Sequence, residues 1–244
     1  MSKLVAFSRV STLILKTLGR GDFESIKLIN EWLPTLLQDH SPLNDEIPWL
    51  TLKAIKWLEK NLKPNMTVFE YGSGGSTIFI AKRVSKIVSV EHDSFWYNKV
   101  LEVMKEKSIY NCKYILLEPD EGDFKSEYGY KSYTSQKREY RNKNFRKYVQ
   151  SIDRFENNFD VILIDGRARP SCIAHAIPKI RPGGYLILDD SQRKRYQPTI
   201  SSLLSQYFRR DFIGFKPFNS KNLGHTTVWK INLLRKLNEG KSDI

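Results

Sequence analysis

The stretch TVFEYGSGGSTIFIAKRV, from Thr67 to Val84, reads as a strand that passes through a glycine-rich turn into a helix. Gly72, Gly74 and Gly75 lie at the turn. Glycine lets the backbone bend sharply and approach a ligand that a Cβ atom would exclude. The free N–H groups at the start of the next helix favour an anionic or polar group. The stretch therefore predicts either a nucleotide-binding loop or only a tight connection.

Strand and helix patterns alternate around this turn, which predicts an α/β fold. The expected strands are Met66–Tyr71, Ile87–Glu91, Lys113–Leu117, Phe159–Asp165, Gly184–Asp190, Phe212–Phe215 and Thr226–Ile231. The expected helices between them are Ser76–Arg83, Ser94–Lys105, Arg146–Phe155, Pro170–Ile180 and Thr199–Phe208. We expect a doubly wound, mostly parallel sheet with helices on both faces. The last two strands have no helix between them, and their short connection suits an antiparallel pair.

The chain divides by pattern into a helical extension, a core domain and a tail. Residues 1–63 are expected to form the N-terminal helical extension. Residues 64–234 form the expected core domain, with a basic and aromatic insert at about 120–150, and residues 235–244 form a polar tail. The first helix either packs on the domain or lies on a membrane surface.

Three features indicate where the protein resides. The N-terminus is interrupted by Lys3, Arg9 and Lys16, and it lacks the unbroken apolar segment and cleavage site of a signal peptide. No apolar run approaches the ~20 residues that span a bilayer. Cys112 and Cys172 form no CxxC pair, which favours free thiols in a reducing compartment. We therefore expect a cytoplasmic protein without a transmembrane segment.

The formal net charge of +13 indicates an anionic partner, such as nucleic acid, an acidic membrane surface or a phosphorylated substrate. In the segment from Phe124 to Gln150, five tyrosines are interleaved with many lysines and arginines. Rings and cations in such a mixture serve nucleic acids. A long polar segment beside parallel strands also serves as a lid over a ligand. The sequence leaves both alternatives open.

An acidic group follows the second expected strand at an informative distance. Glu91 lies about 20 residues after the glycine turn, the spacing at which a carboxylate reaches ribose hydroxyls. A carboxylate accepts two hydrogen bonds from a vicinal diol, because it has two acceptor oxygens. His92 and Asp93 come directly after it. The glycine turn and the acid together predict a nucleotide-like ligand.

Three more carboxylates lie at strand ends. Asp165 ends the fourth expected strand, and Asp189 and Asp190 end the fifth. Such a group could bind a hard divalent ion such as Mg²⁺ or supply a general base. Alternatively, Asp165 caps the next helix and one of the pair accepts from backbone amides.

Other nucleotide-binding motifs agree less well with the sequence. A dinucleotide fingerprint places a third glycine at the position of Thr77. The loop has no Gly-Lys-Ser/Thr ending of a P-loop, and the chain has no GxSxG nucleophile elbow. These departures disfavour NAD(P), FAD, nucleoside triphosphates bound by a P-loop, and serine hydrolysis.

Four segments resemble the motifs of the class I S-adenosylmethionine-dependent methyltransferases. They are FEYGSGGST, VSVEHD, FDVILIDG and IRPGGYLILDD, and the resemblance runs from about Pro48 to Lys230. It implies a Rossmann-like sheet of seven strands whose last strand is antiparallel. Within the class, the segment IDGRARPSCIAHAIPKIRPGGYLILDDSQRKRY is similar to bacterial sugar and small-molecule O-methyltransferases.

The resemblance implies S-adenosylmethionine as cofactor and assigns roles to the motifs. The glycines would contact the methionine moiety, and Glu70 would fix the loop and the amino group. Glu91 would hold the ribose, with His92 and Asp93 beside the adenosine. The full set of expected cofactor-binding residues is Glu70, Tyr71, Gly72, Ser73, Gly74, Gly75, Ser76, Thr77, Glu91, His92, Asp93 and Asp165.

The resemblance also bears on catalysis and metal. Some relatives bind magnesium through acids that match Asp165, Asp189 and Asp190. Here Arg167 and Arg169 follow the first of these, which weakens the metal prediction and indicates an anionic substrate or a salt bridge. The lysine that catechol-type relatives place three residues after the Asp165 position is Ala168 here. Asp165 is the candidate base, and His225 is a second.

Three functions are consistent with these residues. The first is methyl transfer to a hydroxyl of a small-molecule or glycan acceptor. The second is methylation of RNA or protein through the basic surface, although no Asn-Pro-Pro-Tyr motif follows the fourth strand. The third is a non-catalytic binding protein built on the cofactor fold. Nothing in the sequence predicts an oligomeric state.

Overall fold

The computed structural model describes residues 3–37, 39–122, 129–156 and 158–231. The predicted polar tail at 235–244 and residues 123–128 of the predicted insert lie outside these ranges. The main sheet has seven strands. They are β1 (Thr67–Tyr71), β2 (Lys86–Glu91), β3 (Cys112–Leu116), β6 (Phe159–Ile164), β7 (Ile180–Asp189), β8 (Phe208–Gly214) and β9 (Gly224–Lys230). A small antiparallel pair, β4 (Asp120–Glu121) and β5 (Lys143–Asn144), lies outside the sheet.

The strand order of the sheet is β3-β2-β1-β6-β7-β9-β8. All neighbours up to β7 pair in parallel, and β9 pairs antiparallel with both β7 and β8. The order reverses at β1 and β6, where ligands bind in open α/β sheets. The predicted doubly wound, seven-stranded sheet with an antiparallel last strand is confirmed.

Nine α-helices are found in the described ranges. They are α1 (Lys3–Gly19), α2 (Phe23–Lys27), α3 (Ile29–Trp32), α4 (Leu52–Asn61), α5 (Gly75–Ala81), α6 (Ser94–Glu106), α7 (Arg146–Val149), α8 (Arg169–Ala176) and α9 (Gln197–Leu203). The helix expected at Arg146–Phe155 is shorter, because α7 passes into a 3₁₀ turn at Gln150–Arg154. Pro34 lies in another 3₁₀ turn at Leu33–Leu36, since proline interrupts an α-helix.

Alternating strand residues build two hydrophobic cores, one on each face of the sheet. Phe69 and Tyr71 pack in the first core, with α8 and α9. Val68 packs in the second core, with α4 and α5. By this alternation, Glu70 points to the same face as Val68, towards α5. The residue that was expected to fix the glycine turn therefore lies beneath the helix that follows it.

The helices before residue 63 share the second core with the sheet. Trp32 stacks on Phe215 with 4.2 Å between ring centroids, and its Nε1 donates to the Lys216 carbonyl at 3.1 Å. Helix α1 packs through Leu13, while Leu15 and Leu18 are exposed. No helix among the described residues is long and apolar enough to cross a membrane. The domain division at residue 63 stays a prediction.

Candidate active site

Two glycines meet where the strand order reverses. Gly72 follows β1 with φ of 91°, a conformation that favours glycine. A Cβ atom at Gly72 would lie 2.7 Å from the Cα and N atoms of Gly166, which follows β6. A Cβ atom at Gly166 would collide with the hydroxyl of Tyr148. The ends of β1 and β6 are therefore packed so closely that only glycine fits at these two positions.

A buried carboxylate braces the glycine turn. Glu70 is fully buried and accepts from the hydroxyls of Ser76, Thr77 at 2.6 Å and Ser89 at 2.6 Å. The Thr77 hydroxyl in turn accepts from the backbone N–H of Gly74 at 3.0 Å. The conformation of the turn is thus fixed through a chain of hydrogen bonds. This chain of hydrogen bonds explains why residue 77 is threonine here and not the glycine of a dinucleotide fold, because glycine has no hydroxyl.

Burial raises the pKa of Glu70 to about 7, against the opposing effect of the three hydroxyl donors. Its ordinary value is 4.5, so the folded protein binds a proton here that the unfolded chain releases. Stability from this group therefore falls as pH rises from about 4.5 to about 7. The full shift corresponds to about 3 kcal/mol.

We expect Glu70→Gln to remove this dependence. Between about pH 5 and pH 8, the free energy of unfolding of wild type should fall relative to that of the variant by up to about 3 kcal/mol. Urea denaturation across this range measures the difference. Glu59→Gln, a change at an exposed residue, is the control and should run parallel to wild type. Parallel curves for wild type and Glu70→Gln would contradict the assigned pKa.

Glu91, at the end of β2, is ionised and closely surrounded. Its Oε2 accepts from the Ser73 N–H at 3.0 Å and the Ser73 hydroxyl at 2.8 Å. Its Oε1 accepts from the backbone N–H groups of His92 at 2.7 Å and Asp93 at 3.1 Å. Burial would raise the pKa of Glu91, but the His92 ring and the hydrogen bonds from His92 and Ser73 outweigh it and lower the pKa to about 2.

These four donors use the acceptor sites of the carboxylate. A ribose hydroxyl can reach Glu91 only in place of one of them. The three backbone N–H groups are fixed by the fold, whereas the Ser73 hydroxyl can rotate and already has a second partner, the Tyr114 hydroxyl at 2.7 Å. Ser73 is therefore the donor that can give way.

Asp93, two residues after Glu91, and Tyr71, just before the glycine turn, make structural contacts. Asp93 caps α6 by accepting from the Trp96 N–H at 2.8 Å, and the Trp96 ring donates to the Ser73 carbonyl at 2.9 Å. The Tyr71 side chain points into the core and donates to the Val149 carbonyl at 2.6 Å. Only the backbone of Tyr71 therefore faces the crevice.

Gly75 lies under the segment before α4. A Cβ atom there would collide with the backbone carbonyl of Pro42 and lie 2.5 Å from that of Ile47. By contrast, a Cβ atom at Gly74 would meet only the Trp96 ring, at 3.6 Å. The third glycine of the turn is thus required by packing, as the tight-connection alternative expects, while Gly72 is required by its conformation.

His92 joins β2 to the predicted insert. Its Nε2 lies 2.9 Å from the Tyr140 hydroxyl, and its ring packs near Phe145 and Tyr148, which are fully buried. Its Nδ1 lies 2.7 Å from Glu91 Oε1 without hydrogen-bond alignment. The described part of the insert therefore packs against the strand ends, where a lid would lie.

Asp165 follows β6 and pairs with a buried arginine. Arg169 NH2 donates to Asp165 Oδ1 at 2.8 Å, and the same guanidinium donates to the carbonyls of Gly166 at 3.0 Å and Asp189 at 2.5 Å. Burial and the Asp189 charge raise the pKa of Asp165 to about 7, while Arg169 and Lys216 oppose the rise. About a fifth of the Asp165 side chain is exposed.

The other two aspartates are held by cations. Asp189 is buried and accepts from Lys216 Nζ at 2.5 Å and the Thr226 hydroxyl at 2.9 Å. Asp190 pairs with Arg193, and the positive charges of Lys216 and Arg169 outweigh burial and lower its pKa.

The structure does not support the predicted metal site at Asp165, Asp189 and Asp190. Within the described ranges, no three His, Cys, Asp or Glu side chains are placed to hold a metal ion. Arg169 and Lys216 supply the positive charge that a divalent ion would bring. Of the two alternatives that the sequence left for Arg169, the structure has the salt bridge, which Arg169 forms with Asp165.

Sequence reasoning missed three residues of this region. Lys216 is distant in the chain and has no motif that signals its role. Tyr148 belongs to the insert, and its buried hydroxyl has no hydrogen-bond partner among the described residues. Trp96 could have been suspected from its place in the first turn after Asp93. His225, the second candidate base, faces Asp211 at 3.3 Å between β8 and β9.

No protein-family model matches the chain, and no curated protein is a match. Solved structures do match it. An O-methyltransferase from Bacillus cereus, in complex with SAH, aligns at a TM-score of 0.53 and 16% identity, covering 80% of this chain and 93% of that one. An rRNA methylase from Streptococcus thermophilus aligns at 0.50 and 12%, covering 72% and 93%.

A third solved structure, a precorrin 8w decarboxylase from Methanobacterium thermoautotrophicum, aligns at a TM-score of 0.50 and 13% identity, covering 78% of this chain and 96% of that one. At such identities the likeness is one of fold. The strand order, the antiparallel β9 and the glycine turn at the switch point agree with it. The chain therefore has the fold of the class I S-adenosylmethionine-dependent methyltransferases, as its four motifs predict.

Proposed function

We propose that this protein binds S-adenosylmethionine at the glycine turn and transfers a methyl group to a hydroxyl of a small or carbohydrate-like acceptor. The observation that carries the proposal is the pairing of a braced glycine turn after β1 with an ionised Glu91 after β2. The glycine turn lies where the strand order reverses, which is where open α/β sheets bind ligands. Glu91 offers an acceptor for ribose hydroxyls once the Ser73 hydroxyl rotates away.

When bound, S-adenosylmethionine supplies a methyl group on a positively charged sulfonium, already activated for displacement by an oxygen. The protein then has to align the acceptor hydroxyl and remove its proton. Asp165 is the proposed base. Its Oδ1 accepts from Arg169, while no hydrogen bond to Oδ2 is found among the described residues. A pKa near 7 suits proton removal at neutral pH.

Glu91→Ala tests the cofactor site. We expect the affinity for S-adenosylhomocysteine to fall by about 10- to 100-fold, since a hydrogen bond to a charged group is worth about 1.5–3 kcal/mol and the Ser73 hydroxyl leaves room for one ribose hydroxyl. Calorimetry measures the change. Glu118→Gln, further along the chain beyond β3, is the control. Wild-type affinity in Glu91→Ala would show that the ribose lies elsewhere.

The acceptor is tested by a transfer screen with the cofactor labelled at its methyl group. Pools of sugars, phenols and RNA distinguish the alternatives that the sequence left open. We expect label in the sugar pool. Label confined to RNA, with binding that weakens steeply as salt rises, would replace the proposal with RNA methylation. Tight cofactor binding would dismiss the non-catalytic alternative.

A further inference from the structure

A polar cavity opens at Gly166, the residue after Asp165, between the described part of the insert and the starts of α8 and α9. It is lined by backbone of the segments 129–137, 166–170 and 193–196 and by their side chains. Those used below are Ser132, Thr134, Lys137, Arg167, Arg193 and Arg195. No carboxylate belongs to the lining that the described residues form. The cavity is therefore strongly basic on one side and rich in hydroxyl donors on the other.

Arg167 is the residue of this cavity that points most clearly to an anionic ligand. Its Nε is buried and has no hydrogen-bond partner among the described residues. Its guanidinium lies 5.3 Å from the centre of the Tyr140 ring, which fixes the group against the insert. A buried donor without an acceptor costs roughly 1–3 kcal/mol. Such a cost is recovered when an anion enters the cavity.

Arg195 adds a second cation without a carboxylate partner in the described ranges. Its guanidinium lies 5.0 Å over the Tyr196 ring and donates to the Tyr196 hydroxyl at 3.3 Å. By contrast, Arg193 is paired with Asp190, and Lys137 with Glu139 at 3.2 Å. The guanidinium groups of Arg167 and Arg195 can therefore bind an oxyanion. Their planar arrangement of N–H donors matches the oxygens of phosphate and carboxylate.

We propose that this cavity holds the anionic group of the methyl acceptor, and that the acceptor is a small hydroxylated phosphate ester. The proposal rests on the function proposed above, because it names the substrate class of the same site. Arg167 comes two residues after Asp165, so an anion held there keeps the rest of the molecule near the proposed base. Phosphate oxygens would accept from both guanidinium groups. The Thr134 hydroxyl, which donates to Ser132 Oγ at 3.1 Å, would join them by rotating.

A small acceptor is favoured over nucleic acid by how the unpaired cations are arranged. Arg167 and Arg195 converge on one cavity next to Asp165, whereas a polymer is bound along an extended groove or stripe of charge. Some other lysines in the described part of the insert are paired with carboxylates. Lys143 pairs with Glu121 at 3.1 Å, and Lys147 pairs with Asp120 at 2.6 Å.

Calorimetry with inorganic phosphate at constant ionic strength tests the anion site without knowing the acceptor. We expect saturable binding to wild type and about tenfold weaker binding to Arg167→Gln and to Arg195→Gln, since a charged hydrogen bond is lost in each. Arg210→Gln, an exposed change on β8, should bind as wild type does. S-adenosylhomocysteine affinity should be unchanged in all three variants.

Three results would overturn the proposal. They are no phosphate binding by wild type, equal binding by wild type and both cavity variants, and a short RNA that binds far more tightly than phosphate and loses affinity in the same variants. The last result would assign the cavity to nucleic acid. If phosphate binds as expected but S-adenosylhomocysteine does not bind wild type, the anion site stands and the proposed methyltransferase function fails.

Discussion

Asp165→Asn is expected to lower kcat for methyl transfer by about 100- to 10,000-fold, the range that a general base contributes. The amide keeps the shape of the side chain and an oxygen that can accept from Arg169, but it cannot take a proton. Cofactor affinity should change far less than turnover. The comparison of kcat with the Kd of S-adenosylhomocysteine, in wild type and variant, measures both effects.

The pH profile makes this prediction sharper. The base works when it is deprotonated, so wild-type kcat should rise with pH through the pKa of Asp165, which burial and Asp189 raise to about 7. Asp165→Asn should lack this rise. Asp211→Asn, on β8, is the matched control and should keep both the rate and the profile. A kcat for Asp165→Asn within about threefold of wild type would reject the assignment, given the range above.

Arg169→Met is expected to lower the free energy of unfolding by about 3–5 kcal/mol, the cost of breaking a buried ion pair. The guanidinium is buried and donates to the Asp165 carboxylate and to three backbone carbonyls. Removing it leaves carboxylates in the interior with less positive charge to balance them. The pKa of Asp165 should rise further, since Arg169 lowers it.

Urea denaturation of Arg169→Met and of Arg209→Met distinguishes the loss of the buried ion pair from the loss of an arginine at the surface. Arg209 forms a surface pair with Asp211 at 2.9 Å, and such pairs contribute about 1 kcal/mol or less. Arg169→Lys keeps the charge without the planar fork and should fall between the two. If Arg169→Met is within about 1 kcal/mol of Arg209→Met, the buried cluster does not have the role assigned to it.

The fold was predictable because its signals are local. The alternation of apolar strands with helices needs only the sequence spacing, and the missing helix before Thr226 already indicated an antiparallel end. The observed strand bounds differ from the predicted ones where strand pairing, and not hydropathy, decides where a strand begins or ends. For example, β7 begins at Ile180 instead of Gly184, since Ile180 pairs with Phe159 across an irregular register.

The site was predictable only in part, because its partners come from distant segments. The brace at Glu70 was expected, but its dependence on Ser89 comes from the register of β1 and β2. The metal prediction is not supported, because carboxylates at strand ends do not reveal which cations reach them. Lys216 approaches Asp189 from the connection between β8 and β9, and no spacing rule joins the two.

The central claim is that the glycine turn binds S-adenosylmethionine. Titration of the intact wild-type protein with S-adenosylmethionine in a calorimeter tests it most directly. The account predicts saturable binding with one site per chain, competed by S-adenosylhomocysteine and weakened in Glu91→Ala. Absence of binding by well-folded wild type, or equal binding by Glu91→Ala, would contradict it.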